Sequence, residues 1–241
     1  MPVHLYGQAC DMTTIIALAK KYNLFVIEDN AQSQGATWKG HLAGSFGHIN
    51  ATSFYPGKNL GAFGEAGAIT TNDEGLAGKV QALRNYGSIK KYYNEYKGVN
   101  SRLDEVQAGF LSVKLRYLNE WSEERRKIAS HYNAELAPIQ DILSLPFIEK
   151  EATSVYHLYI IRTDRRDQLQ EYLKQKGIGT LIHYPVPPHL QKAYAELGFK
   201  QGGFPIAEEL ANTMLSLPIF VGMKEEQVNY VCKNIKLFFK Q

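Results

Sequence analysis

Two side chains in this sequence could share one piece of chemistry. Asp29 closes the run Val26-Ile27-Glu28-Asp29, and Lys58 follows 29 residues later in Ser53-Phe54-Tyr55-Pro56-Gly57-Lys58-Asn59-Leu60-Gly61. A lone lysine in a glycine-rich turn offers an amine that forms a Schiff base with an aldehyde. A carboxylate at a strand end holds a pyridine nitrogen protonated, so that the ring accepts electrons. Pyridoxal 5′-phosphate (PLP) chemistry requires both. Without the acid, the lysine is only an anchor.

The competing readings are simple ones. A loop lysine is usually a solvated surface charge, but Lys58 is led in by the strand-like Thr52-Ser53-Phe54-Tyr55 and followed by Gly61, Gly64 and Gly67. Glycines allow sharp turns and close approach of backbone to a ligand. A phosphate-binding P-loop also contains Gly-Lys. It fails here, because Thr52 stands where its first glycine belongs and Asn59 replaces the required Ser or Thr. Gly64-Glu65-Ala66-Gly67 lacks the strand-turn-helix setting of a dinucleotide fingerprint. Asp29 could equally be a turn or cap residue, and Glu28 sits beside it. Alternation along extended backbone points the two to opposite sides, so only one faces a ligand. Gln32 either bonds a cofactor oxygen or sits in a polar turn.

The elements around these residues read as α/β. Asp11–Tyr22 has an acidic N-cap and apolar residues at helical spacing. Leu24–Ile27 is a short apolar run without alternation, read as a strand buried on both faces, which puts Asp29 just past the carboxyl end of a parallel strand. Ala51–Phe54 and Ala68–Thr71 read as strands flanking the lysine turn. Gly75–Asn85, Leu103–Leu118 and Glu120–Leu136 read as helices. Later come a strand at Tyr156–Arg162, an amphipathic helix at Arg166–Lys176 ended by Gly177, a short strand at Leu181–Tyr184, and helices at Glu208–Met214 and Glu225–Phe239. Val3–Tyr6 reads as a strand opening the chain. The expected division is a large domain over residues 1–118 and a smaller α+β domain over 119–241.

Composition sets the class. The 241 residues are 44% hydrophobic and 21% charged, which excludes a disordered chain. Lys and Arg number 27 against 24 Asp and Glu, a net +3 too mild to argue for nucleic acid or an anionic membrane. Cys10 and Cys232 are too few for a disulfide framework, and no apolar run reaches the length of a membrane span, so the expected location is the cytoplasm.

Three segments carry a resemblance: Val26-Ile-Glu-Asp-Asn-Ala-Gln-Ser-Gln-Gly35, Ser53 to Gly61, and Gly98-Val-Asn-Ser-Arg-Leu-Asp-Glu-Val-Gln-Ala108. In that order they resemble the DegT/DnrJ/EryC1/StrS sugar aminotransferases, of the aspartate-aminotransferase (fold type I) group. Leu181-Ile-His-Tyr-Pro185 and Leu215-Ser-Leu-Pro218 match as well, so the resemblance covers essentially the whole chain. It implies a PLP-dependent transferase fold, with a mixed, mostly parallel sheet in a partial large domain and a smaller C-terminal α+β domain. Lys58 matches the Schiff-base lysine and Asp29 the partner of the pyridine nitrogen. Gln32 matches the residue near the cofactor's 3-hydroxyl, and Ser53 the hydroxyl that holds its phosphate. Asn100 matches an asparagine that reaches the neighbour's phosphate across a dimer. Tyr55, Arg102, His183 and Tyr184 match substrate or interface positions.

The resemblance further implies transamination of a nucleotide-linked keto-deoxysugar with glutamate as donor. The Phe-Tyr-Pro-Gly-Lys-Asn-Leu-Gly-Ala form resembles enzymes acting at C3, where those acting at C4 more often carry His at Tyr55. Lys58 argues against the related dehydratase branch, which has His there. Departures from the family pattern are Asn30 for Ala, Gln34 for His and Ala66 for Gly. The family also carries a substantial part ahead of the Val3–Gly7 segment. That part supplies early strands, a phosphate-binding helix N-terminus and an aromatic residue stacked on the ring. A chain without it could alternatively be a catalytically silent binding or structural partner.

Overall fold

Asp11 starts the first helix in the way its residue type suggests. Its Oδ1 accepts the N–H of Thr14 at 3.0 Å and its Oδ2 accepts the Thr14 hydroxyl at 2.6 Å. Helix α1 runs Met12–Tyr22, and Asn23 ends it in the left-handed region at φ 52°. The computed structural model describes residues 1–240. They divide into two compact units: Met1–Glu123 with Ile148–His157, and Glu124–Phe147 with the chain from Leu158 onward.

In the first unit α1 is followed by β1 (Ile27–Asp29), β2 (Thr37–Trp38), β3 (His41–Leu42), β4 (Ile49–Ser53) and β5 (Gly67–Thr70). Then come α2 (Glu74–Leu83), β6 (Ser88–Lys90), β7 (Tyr93–Asn94) and α3 (Glu105–Leu115), and α4 (Leu118–Leu136) starts in this unit. The main sheet has the order β1-β4-β5. β1 and β4 are parallel, with Asp29 opposite Ala51, while β4 and β5 are antiparallel. The parallel pairing is what matters for function, because it brings the carboxyl ends of β1 and β4 to one edge. Two apolar clusters support this edge. Met12, Ala36, Trp38 and Val155 pack behind β1, and Leu60, Ala62, Leu111 and Leu118 pack beneath the lysine turn.

The second unit holds the end of α4, then β8 (Tyr159–Arg162), α5 (Arg166–Gln175), α6 (Pro205–Thr213), β9 (Met214–Leu217) and α7 (Glu225–Phe239). β8 and β9 pair antiparallel in full register. Tyr132 and Tyr159 stack with centroids 4.8 Å apart, and the Tyr132 hydroxyl donates to the carbonyl of Pro218 at 2.9 Å. Helix α5 stops where Gly177 takes φ 71°.

Some elements differ from the sequence reading. Val3–Tyr6 is not a strand: Val3 alone bridges Asp29 in parallel, and Leu5–Gly7 is a 3-10 turn with Tyr6 at φ 61°. The turn forms because His4 points inward to Glu28 and the Tyr6 N–H is taken by the Gln32 side chain. The paired strand begins at Ile27, and Leu24 and Phe25 are exposed (57% and 80%), so the apolar run is not covered on both faces in this unit. Leu181–Tyr184 contributes one bridge, Leu181 to Ser216, rather than a strand. Helix α6 begins at Pro205 and ends before Met214, which opens β9. The stretch Met214-Leu215-Ser216-Leu217 is too short for its pattern to separate helix from strand.

Candidate functional site

Of the two adjacent carboxylates, the structure buries one and leaves the other at the strand end. Glu28 is fully buried. Its Oε2 accepts from His4 Nε2 and from the Gly44 N–H, each at 2.7 Å. Its Oε1 accepts from the N–H groups of Phe46 and Gly47. His4 Nδ1 accepts the N–H of Cys10 at 3.0 Å, so the ring's proton lies on Nε2 and is donated to Glu28. Burial pushes the Glu28 carboxyl up, but the donors from His4, Gly47 and Gly44 more than reverse that, and it titrates below the usual carboxylate range. Glu28 therefore anchors the 44–47 loop and the N-terminal turn. Pleating then turns Asp29 to the other side.

Asp29 is only half-buried. Its backbone is held on both sides, by Pro2 and His4 through Asp29 N–H and C=O, and its Oδ1 accepts the Ala31 N–H at 3.0 Å. The next turn is pinned to β4, since Asn30 N–H donates to the carbonyl of Ala51 at 2.8 Å. Asn30 is also engaged locally, with its Oδ1 accepting the Ser33 hydroxyl. Gln32 is buried, and its Oε1 accepts the Tyr6 N–H at 2.7 Å, which makes its NH2 the donor end.

Across the edge, β4 ends at Ser53, and its Oγ accepts the Tyr55 N–H at 3.2 Å. That bond uses a lone pair and leaves the hydroxyl hydrogen for another acceptor. The lysine turn closes on itself: Lys58 N–H donates to Tyr55 O at 2.9 Å and Ala62 N–H to Phe54 O at 2.7 Å. Gly61 is required there, because a Cβ would lie 2.5 Å from the Pro56 carbonyl oxygen. Lys58 is half-buried, and among the described residues its Nζ forms no hydrogen bond or ion pair. Burial lowers its pKa from the ordinary lysine value, and the nearby Asp29 charge offsets part of that. The structure thus brings Asp29, Gln32, Ser53 and Lys58 to one edge of the sheet.

Tyr55 is exposed on the turn. Asn100 and Arg102 are exposed together: Arg102 Nε donates to Asn100 Oδ1 at 2.9 Å, and its guanidinium lies over the Tyr86 ring. His183 and Tyr184 belong to the second unit, where His183 Nδ1 is 2.7 Å from the Ser216 hydroxyl. Ala66 packs with Phe54 and Leu103 on the lower apolar cluster.

Sequence reasoning gave no role to two buried amides that fasten the lysine turn, Gln34 and Asn59. Asn59 Nδ2 donates to the carbonyl of Val155 at 2.9 Å. Its neighbourhood to Lys58 was the available signal, but its type served only to exclude a P-loop. Gln107 adds a further hold, accepting the Phe63 N–H at 2.9 Å from α3.

Comparison with known proteins bears on this arrangement. The DegT/DnrJ/EryC1/StrS aminotransferase family model matches residues 1–236. The chain is 50% identical over 238 residues to the dTDP-3-amino-3,6-dideoxy-alpha-D-galactopyranose transaminase of Aneurinibacillus thermoaerophilus, covering 99% of this chain and 64% of that protein. The crystal structure of S. venezuelae DesV in complex with a ketimine intermediate matches with a TM-score of 0.96 at 43% identity, covering 100% of this chain and 64% of that one. The Bacillus subtilis NtdA structure with bound cofactor PMP matches with a TM-score of 0.89 at 31% identity, covering 100% of this chain and 56% of that one. The chain therefore spans under two thirds of the length of these relatives. With its fold and its matched length taken together, this chain belongs to the DegT/DnrJ/EryC1/StrS aminotransferase family.

Proposed function

We propose that this chain carries the cofactor site of a PLP-dependent aminotransferase that aminates a nucleotide-linked keto-deoxysugar, at C3, with glutamate as donor. The family is PLP-dependent. The observation that carries the reading is the convergence of Asp29 and Lys58 at the carboxyl ends of β1 and β4, close enough for Asp29 to raise the Lys58 pKa. The donor set fits the group. An amine without a direct partner suits an aldehyde, a carboxylate suits a protonated ring nitrogen, and the Ser53 hydroxyl suits a phosphate oxygen. The name of the Aneurinibacillus thermoaerophilus relative is that of a transaminase of a 3-amino-3,6-dideoxy sugar, and this supports amination at C3 here.

When bound, PLP supplies an electron sink and a temporary holder for the amino group. Lys58 would hold it covalently through Nζ, and Asp29 would keep the ring nitrogen charged. The Lys58 amine, when free, would be the base that takes the proton from the α-carbon of the amino donor and the acid that returns one to the sugar carbon. Its lowered pKa leaves more free base for both tasks than an exposed lysine would have. Gln32 offers its NH2 to the ring's 3-oxygen. We further propose a homodimer completed by Asn100 from the neighbouring copy, since Asn100 and Arg102 lie exposed and the chain just ahead of them exposes Tyr92 and Tyr93. Among the described residues no helix is long and apolar enough to cross a membrane; a cytoplasmic location is part of the same proposal.

The test is an absorbance titration of the purified chain with PLP, then borohydride reduction and peptide mapping. A band shifted from that of free PLP, with the label on Lys58 and lost in Lys58→Ala, is expected. Labelling spread over surface lysines, or unchanged in Lys58→Ala, would overturn the reading.

A further inference from the structure

Gln34 has no part in the chemistry described above, yet it is buried (6% exposed) in the midst of it. Its Nε2 donates to the carbonyl of Ser53 at 2.6 Å and to that of Leu60 at 3.3 Å, and its Oε1 accepts the Leu60 N–H at 2.9 Å. The orientation of the amide is fixed by its partners, since a backbone N–H only donates and a carbonyl only accepts. Ser53 ends β4, where the chain enters the lysine turn, and Leu60 lies just past Lys58 on the returning limb. Gln34 itself is carried by the segment that follows Asp29 and Gln32. One side chain therefore ties three pieces of the site: the strand end with the acid, the strand end with the hydroxyl, and the turn with the amine.

The other bonds nearby do not replace it. Lys58 N–H to Tyr55 O and Ala62 N–H to Phe54 O lie within the turn and would travel with it. Asn59 fastens the turn to Val155 instead of to the sheet edge that holds Asp29. We propose that Gln34 is a positioning residue whose amide holds the Lys58 turn against the end of β4, and so sets the amine at its working separation from Asp29. The proposal rests on the PLP reading above and deepens it. Replacing the amide with an apolar group of similar size takes this partner from the buried carbonyl and N–H of Leu60 and from the part-buried carbonyl of Ser53. Water must then enter or the turn must lift, and either change gives Lys58 back to solvent.

The test uses Gln34→Leu beside the wild-type chain, with three readouts. First, competitive acylation of Lys58 against pH, without cofactor, gives the apparent pKa of Nζ. It is expected below the ordinary lysine value in the wild type and shifted back toward that value in the variant. A change in bulk stability alone would not move this profile in the folded protein. Second, PLP titration should show a dissociation constant raised roughly ten- to hundredfold, the loss expected for one or two net hydrogen bonds. Third, the Leu60 amide of the wild type should exchange its hydrogen slowly; exchange at the rate of a free peptide would overturn the proposal even if the variant failed to fold. An unchanged Lys58 profile with an unchanged PLP affinity would also overturn it. If the wild type did not capture PLP on Lys58 at all, the reading of function would fail, while the acylation profile and the Leu60 amide would still decide the clamp.

Discussion

Replacing Glu28 by Gln should cost the first unit a large part of its stability, although one heavy atom changes only from oxygen to nitrogen. The four donors around the carboxylate come in two pairs. His4 Nε2 and Gly44 N–H meet Oε2, and Phe46 N–H and Gly47 N–H meet Oε1. Whichever way the new amide turns, its NH2 faces one pair of donors. His4 could relieve the clash by moving its proton to Nδ1, but Nδ1 is already the acceptor for Cys10 N–H, so that bond would be lost instead. Two hydrogen bonds to a charged group disappear, at roughly 1.5–3 kcal/mol each, for a loss of roughly 3–6 kcal/mol. Against a typical domain stability of about 5–15 kcal/mol this is severe. Urea denaturation followed by tryptophan fluorescence reads it directly, because both tryptophans, Trp38 and Trp121, lie in the first unit. A loss under about 1 kcal/mol would show that the four-donor network is not maintained in solution. The pH dependence gives a second check. The folded pKa of Glu28 lies below its ordinary value of 4.5, so its contribution is complete above that value and is lost as the pH falls through the folded pKa. Wild-type stability should therefore decline below about pH 4.5, and the Glu28→Gln variant should decline less steeply.

Two further outcomes follow from the second unit. Tyr132→Phe keeps the stack on Tyr159 but leaves the Pro218 carbonyl without its donor, and should lower stability by about 1–2 kcal/mol in thermal or urea unfolding; no change would mean that water satisfies the carbonyl. The Cys232 thiol is buried, and burial together with the Glu135 charge pushes its pKa up to about 12. An aromatic disulfide reagent at pH 8 should leave it untouched until the protein is denatured, and rapid modification in the native state would contradict the packing of α7.

Part of this protein could be read from local sequence. Asp11 caps α1 through Thr14, Gly177 ends α5 in the left-handed region, and α7 occupies Glu225–Phe239, because caps, left-handed stops and helical periods act over a few neighbouring residues. The lysine turn between β4 and β5 was legible for the same reason: a strand, a Pro-Gly pair and glycines at 57, 61, 64 and 67 leave few other conformations. Resemblance then added the expected partners of Lys58.

What the chain order could not reveal was decided by contacts between residues far apart in sequence. Glu28 and Asp29 are equivalent in local pattern, and only the arrival of His4 and the 44–47 loop on one side of β1 assigns the first to the interior and the second to the site. Gln34 and Asn59 look like ordinary loop polars until the fold sets Ser53, Leu60 and Val155 within hydrogen-bond reach. β9 could not be told from the end of a helix until β8 paired with it across more than fifty residues of intervening chain. A buried polar group must find a partner wherever the backbone brings one, and that choice is settled when the strands and turns pack, after the local signals have been spent.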